Sequence, residues 1–193
     1  MTPGLTIVAV GDFGRAVADR IAQRLAGAQI QDAVLPAGLA GPVVLASWRE
    51  SRALGLALDA MVDVPWWIPV VLAHPVIRVG PLLTRDVAGC YGCLLSRSLA
   101  SEEHPDNTRA LWGLYDHVPS AGPLGYLEHH AGVAAGLTAM MIDRREQASR
   151  RVLSYHVLTA DLRSDVFMPM PDCPRWSPAV REGMETRAGE DDG

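Results

Sequence analysis

The chain has 193 residues, 49% of them hydrophobic and 20% charged, with a formal net charge of −5. That is the size of one α/β domain with a sizeable core, and the acidic balance excludes the basic footprint of a nucleic-acid binder. The longest apolar stretch, Pro65–Val79, is broken by Pro69, His74, Pro75 and Arg78 and falls short of the roughly 18 residues that cross a bilayer.

The opening MTPGLTIVAVGDF has no basic n-region and no small-residue cleavage site, so it reads as a first strand rather than a signal peptide, and a cytoplasmic location is expected. Leu5–Val10 is a short β-branched run of the kind found in buried parallel strands. Gly11 and Gly14 punctuate it. Ala16–Leu25 then spaces Val17, Ile21 and Leu25 as a helix face, giving strand–turn–helix. Pro42–Ser47 predicts a second strand, Ser51–Met61 a helix on Leu54, Leu58 and Met61, and Trp67–Leu72 a third strand that Pro69 marks as short or near an edge. Val76–Leu83 predicts a fourth strand, and Cys93–Leu99 a helix. Glu102–Leu127 is rich in Pro, Gly and polar residues and reads as a mobile or partner-contacting loop. Glu128–Asp143 predicts a strong helix extended by Arg144–Arg150, and Arg151–Leu162 a strand. Residues from about 181 are acidic and read as a disordered tail after a single domain over 1–180. Alternating strands and helices favour an α/β fold with a mostly parallel sheet covered by helices.

Three motifs carry chemistry. A dinucleotide fingerprint needs G-x-G-x-x-G, so that backbone amides approach a pyrophosphate at a helix N-terminus. Here Gly11-Asp12-Phe13-Gly14 puts a carboxylate and a ring in the turn, and Val17 stands where the third glycine would be. Charge and volume both oppose phosphate. No acidic residue closes the second strand to meet a ribose, since Ser47, Trp48 and Arg49 precede Glu50. Gly11 and Gly14 therefore read as a vestigial turn, and no ATP is expected. The second motif is Cys90-x-x-Cys93 followed far downstream by Cys173. A structural zinc site wants four ligands, commonly two Cys-x-x-C knuckles, but Trp176 stands at the fourth position. A fourth ligand would have to be a histidine such as His104, His117, His129 or His130. Zinc, a knuckle reduced to plain packing and a redox pair all stay open. The third is aromatic. Trp66 and Trp67 are consecutive and cannot share one face of a strand, so one belongs at a surface or interface. Similarly, His129 and His130 lie about 100° apart on a helix and suit a cap or partner contact better than catalysis.

The segments AVGDFGRAVADRIA, VVLASWRE, WWIPVVLAHPVIRVGPLL, GCYGCLLSR, HHAGVAAG and PDCPRW occur in an order that resembles the ThiF-like (E1-like) partner proteins of azoline-forming peptide biosynthesis. The resemblance covers roughly Leu5–Trp176. It implies a truncated E1/ThiF-like, Rossmann-like sheet. It also implies a subunit that recruits a precursor peptide to a YcaO-type cyclodehydratase, or activates that enzyme, during thiazoline and oxazoline formation in a ribosomal peptide natural product. The sequence departs from the pattern in the incomplete second knuckle, in opening directly on a strand rather than on a winged-helix extension, and in carrying no YcaO region. Direct leader-peptide binding is therefore in question, and an exposed sheet edge is the expected place for it. Homodimerisation is expected by analogy of fold. The competing readings are a stand-alone E1-like nucleotide-binding enzyme with Cys90 or Cys93 as nucleophile, and a zinc-binding or redox module.

Overall fold

A computed structural model describes residues 4–85, 87–118, 120–122, 125–173 and 175. The chain order is β1 (Thr6–Val10), α1 (Gly11–Arg24), β2 (Gln29–Asp32), β3 (Val43–Ser47), α2 (Arg52–Ala60), β4 (Trp66–Ala73), β5 (Val76–Val79), β6 (Leu83–Thr84), α3 (Tyr91–Ala100), α4 (Pro105–His117), α5 (Glu128–Asp143), α6 (Arg145–Ala148), β7 (Arg151–His156) and β8 (Leu162–Val166). The eight strands form one open sheet in the order β2-β1-β3-β4-β5-β7-β8, with β6 beside β5 along β4. The pairs β2–β1, β1–β3 and β3–β4 are parallel; beyond β4 the pairing is antiparallel. This is the expected α/β sheet with helices on it, its parallel part confined to the N-terminal half.

The physical basis of the parallel half is plain in the sequence. TIVAV and VVLAS are buried at every position, as strands covered on both faces must be. The chain leaves β1 toward β2 and leaves β3 in the opposite direction toward β4, so right-handed crossovers put α1 and α2 on opposite faces. α1 buries Phe13, Val17, Ala18 and Ile21 and packs on α5, whose inner face is Ala131, Ala134, Ala135, Thr138 and Met141. Helices α2, α3 and α4 pack together in turn. Among the described residues no helix is long and apolar enough to cross a membrane.

Four expectations need correcting. Pro69 lies inside the longest strand and centrally in the sheet, not near an edge. Its carbonyl accepts the Gly80 amide at 2.8 Å, so its ring nitrogen faces the same side, opposite the break between β5 and β6. No ladder donor is needed there. The predicted strand Val76–Leu83 is split at that break. The loop predicted over Glu102–Leu127 contains α4, because Pro105 occupies the first helical turn, where proline's missing donor costs nothing. Finally, β2 and β8 were not predicted. Both are edge strands, β8 exposed throughout and β2 half-exposed, held by main-chain bonds such as Gln29 N to Leu5 O at 2.8 Å. The expected acidic tail from 181 lies outside the described residues.

Gly14 is where α1 crosses β3 most closely: a Cβ there would meet the Ala46 carbonyl oxygen at 2.3 Å. Gly14→Ala is expected to destabilise the fold by about 1–3 kcal/mol through this overpacking. Urea denaturation should show a lower midpoint with an unchanged slope.

Candidate functional site

Strand order reverses between β1 and β3, and in open α/β sheets ligands bind at the strand C-termini beside such a switch point. Here that crevice begins at Gly11, with φ +70°, a left-handed conformation that favours glycine. The indole of Trp48, the residue after β3, lies directly on it. A Cβ on Gly11 would stand 2.3 Å from Trp48 Cδ1. Arg49 covers the indole, its guanidinium 5.1 Å from the Trp48 ring and 4.9 Å from the Tyr115 ring. Arg49 Nη1 donates to the carbonyls of Val118 and Ala121 at 3.1 and 3.2 Å. Burial lowers the Arg49 pKa, with Tyr115 and Asp116 opposing the shift. The segment after α4 is thus pinned across the crevice. From the same helix, Asp116 Oδ1 accepts the Ala53 amide at 3.1 Å and caps α2, a favourable place for a carboxylate.

Glu50, next in sequence, is buried. Its Oε2 accepts Arg78 Nη2 at 2.6 Å, and its Oε1 accepts the Tyr91 hydroxyl. Burial works against the Arg78 charge, yet Glu50 beside it keeps the Arg78 pKa raised. Burial first, then Glu50, pushes the Tyr91 hydroxyl well above its ordinary value. The Tyr91 ring packs so closely on α2 that a Cβ on Gly55 would lie 2.2 Å from its Cε1. Its backbone N donates to Asp59 Oδ2 at 3.1 Å. Asp59 also pairs with Arg175 at 3.1 Å, and its pKa is raised because burial outweighs these partners.

Tyr91 sits between the two cysteines of the knuckle, so this network positions them. Cys90 is the residue before α3 and Cys93 lies in its first turn, where the helix N-terminus favours thiolates. Cys173 is brought to them by three contacts. Arg97 Nε and Nη2 donate to the carbonyls of Met168 and Pro169, both at 3.1 Å. Phe167 packs on Gly89, where a Cβ would be 2.5 Å from its ring. The third contact is the Arg175–Asp59 pair. The outcome is three buried free thiols with Cys90–Cys93 at 3.6 Å and Cys173–Cys90 at 3.8 Å. Tetrahedral zinc with Zn–S near 2.3 Å separates its sulfurs by about 3.8 Å, so the spacing fits one face of a thiolate tetrahedron. Burial pushes the Cys90 thiol up to about 12. Cys173 is lowered despite burial, by hydrogen bonds from Cys93, the Arg175 backbone and Cys90.

The histidines stand apart from this cluster, to which the described His, Asp and Glu residues add no fourth ligand. His104 precedes α4. His117 Nδ1 lies 2.7 Å from the Gly113 carbonyl. His129 and His130 stack edge-on at 4.3 Å; His130 is buried and its Nδ1 accepts the Leu127 amide at 3.3 Å, capping α5, while His129 is exposed. Burial, then His129 and His74, lowers the His130 pKa. Trp176 lies outside the described residues. Of the tryptophan pair, Trp67 is buried, packs on Tyr91 at 5.1 Å and donates to Asp59 Oδ1 at 3.4 Å. Trp66 is half-buried, with the Arg145 guanidinium 5.9 Å from its ring. Sequence reasoning missed Glu50, Arg78 and Tyr91. One sequence signal was present: the charged pair Arg49-Glu50 stands only two residues past the apolar strand run VVLAS.

No protein-family model matches this chain, and no curated protein does. Solved structures do. A heterocyclase in complex with substrate and cofactor superposes with TM-score 0.61 at 15% identity, over 96% of this chain and 27% of that one. A chain of the Escherichia coli microcin synthetase McbBCD complex gives TM-score 0.64 at 14% identity, over 89% and 68%. E. coli MccB with ATP gives 0.56 at 13%, over 88% and 65%. These likenesses establish the fold. The chain spans about a quarter of the heterocyclase and about two thirds of the other two.

Glu50→Ala leaves Arg78 charged and buried without its carboxylate, and should cost about 3–5 kcal/mol in chemical denaturation. Tyr91→Phe removes one neutral donor and should cost about 1–3 kcal/mol. A metal held by the three thiols would show as a stoichiometric ion in elemental analysis of protein purified without chelator, and would be lost in Cys173→Ser. A thiol must lose its proton to hold a metal, and burial pushes the Cys90 thiol up, so metal binding there should release protons. Affinity should therefore tighten as pH rises, and calorimetry in buffers of different ionisation enthalpy would count the protons.

Proposed function

We propose that this chain is a non-catalytic ThiF-like subunit of an azoline-forming complex. It recruits a precursor peptide to, or activates, a YcaO-type cyclodehydratase that makes thiazoline or oxazoline rings in a ribosomal peptide natural product. The observation that carries this reading is the filled crevice: Trp48 occupies the ground over Gly11 where a related fold would admit phosphate, and Arg49 holds the next loop across it. Activating a substrate with ATP needs that space; a scaffold does not. The heterocyclase and microcin synthetase with the same fold support the setting. On this reading Gly11 and Gly14 are kept for backbone geometry, residues 1–180 act as one domain in the cytoplasm, and the half-buried Trp66 and exposed His129 are available to partners.

The cysteine cluster favours a second, compatible role. Cys90, Cys93 and Cys173 would hold zinc as a structural cross-link, its fourth ligand coming from outside the set of cysteines in this chain. The same cluster counts against a cysteine nucleophile, since Cys90 and Cys93 are buried and Cys90 is held as a thiol.

Calorimetric titration tests the proposal. The isolated chain is expected to show no heat with ATP–magnesium and saturable binding to a YcaO-type cyclodehydratase or its precursor peptide. Tight ATP binding or ATP hydrolysis by the chain alone would overturn it.

A further inference from the structure

The sheet ends on a strand that the monomer leaves open on three sides. Every residue of β8 is exposed, and among the described residues its sole partner is β7. His156 N donates to Asp161 O at 2.9 Å, and Phe167 N donates to Arg150 O. Alternation along an antiparallel ladder then turns the odd-numbered residues of β8 toward β7. Leu162, Ser164 and Val166 present their amides and carbonyls outward. The strand has no proline, lysine or bulge to blunt this edge.

The sequence of the strand says what fits there. Centred on Ser164, LRSDV is self-complementary. In an antiparallel pair with a second copy, Ser164 faces Ser164, Leu162 faces Val166, and Arg163 faces Asp165 across the two-fold axis. Arg163 and Asp165 would then occupy the non-hydrogen-bonded positions, where opposed side chains come closest. Neither has an ion-pair partner among the described residues. On the other face Leu162 is 53% and Val166 58% exposed. Leu162 lines a groove of about 340 Å³ with Met140, Met141 and Leu153, rimmed by Arg144, Gln147 and Arg151. The polar edge at the opposite end of the sheet, Gln29–Asp32, offers no such complementarity.

We propose that β8 is the contact between two copies of this chain, which pair antiparallel about Ser164 into one continuous sheet with an isologous two-fold interface. This deepens the subunit role proposed above by locating the contact between copies. A monomer that still binds its cyclodehydratase or peptide would overturn the pairing and leave that role standing.

Sedimentation equilibrium of the full chain tests it. The wild type should be a dimer at micromolar concentration. Ser164→Pro deletes an outward amide that β7 does not use, along with one exposed side-chain bond from Arg151 Nη1 at 3.1 Å, so the monomer should keep its circular dichroism and nearly its melting temperature while the dimer dissociation constant rises about tenfold or more. Arg163→Asp and Asp165→Arg each set like charges opposite one another and should weaken the dimer similarly, while the double exchange restores it. A monomeric wild type would overturn the proposal. So would a dimer indifferent to Ser164→Pro, or a double exchange no better than either single change.

Discussion

A carboxylate with almost no contact with water organises this molecule. Glu50 stands just past β3 and is matched by Arg78 from β5 and by the Tyr91 hydroxyl from the start of α3. An unpaired buried charge costs several kcal/mol, so these three elements cannot shift independently. Because Tyr91 is wedged against Gly55 and Trp67, the constraint extends to α2 and β4. Through Asp59 it reaches Arg175, two residues beyond Cys173. The polar network and the cysteine cluster are therefore one structure: the tyrosine inside the Cys-x-x-C joins the ionic core of the sheet to the thiols. Such a network contributes less to net stability than its strength suggests. What it sets is geometry.

A similar logic closes the switch-point crevice. The turn after β1 passes through a left-handed glycine, Gly11, and the space above it belongs to an indole. The guanidinium of Arg49 stacks on two aromatic rings and bonds to two carbonyls of a distant loop. A ligand entering there would have to displace aromatic packing and leave a buried guanidinium without its acceptors.

How much of this was legible in the sequence depended on burial. TIVAV, VVLAS and Glu128–Asp143 could be read because uniform burial or a long apolar face imposes its period on composition. The edge strands QIQD and LRSDV could not, since main-chain bonds hold them and their side chains answer to solvent. Pro69 misled because a proline rule states where a donor is missing, while the break in the facing strand that makes it harmless depends on tertiary pairing. Pro105 misled similarly, opening a helix where composition suggested a loop. At the site, the cysteines could be grouped from spacing and their 3.6–3.8 Å approach confirms the grouping. Tyr91, Glu50 and Arg78 could not be grouped, because they converge from separate elements and no spacing rule links them. The histidines weighed as ligands serve elsewhere, His130 as the cap of α5.

The position of Cys173 has a topological consequence. It meets Cys90 across 83 residues of chain, a loop that includes α3, α4, α5 and the β7–β8 hairpin. Any single bond or ion that fixes those sulfurs together ties off that loop, and in the unfolded chain such a closure removes entropy worth about 4–5 kcal/mol. The parallel half of the sheet lies wholly outside the tie. The cluster would thus work as a selective clasp on the C-terminal half, the half that ends in the open strand.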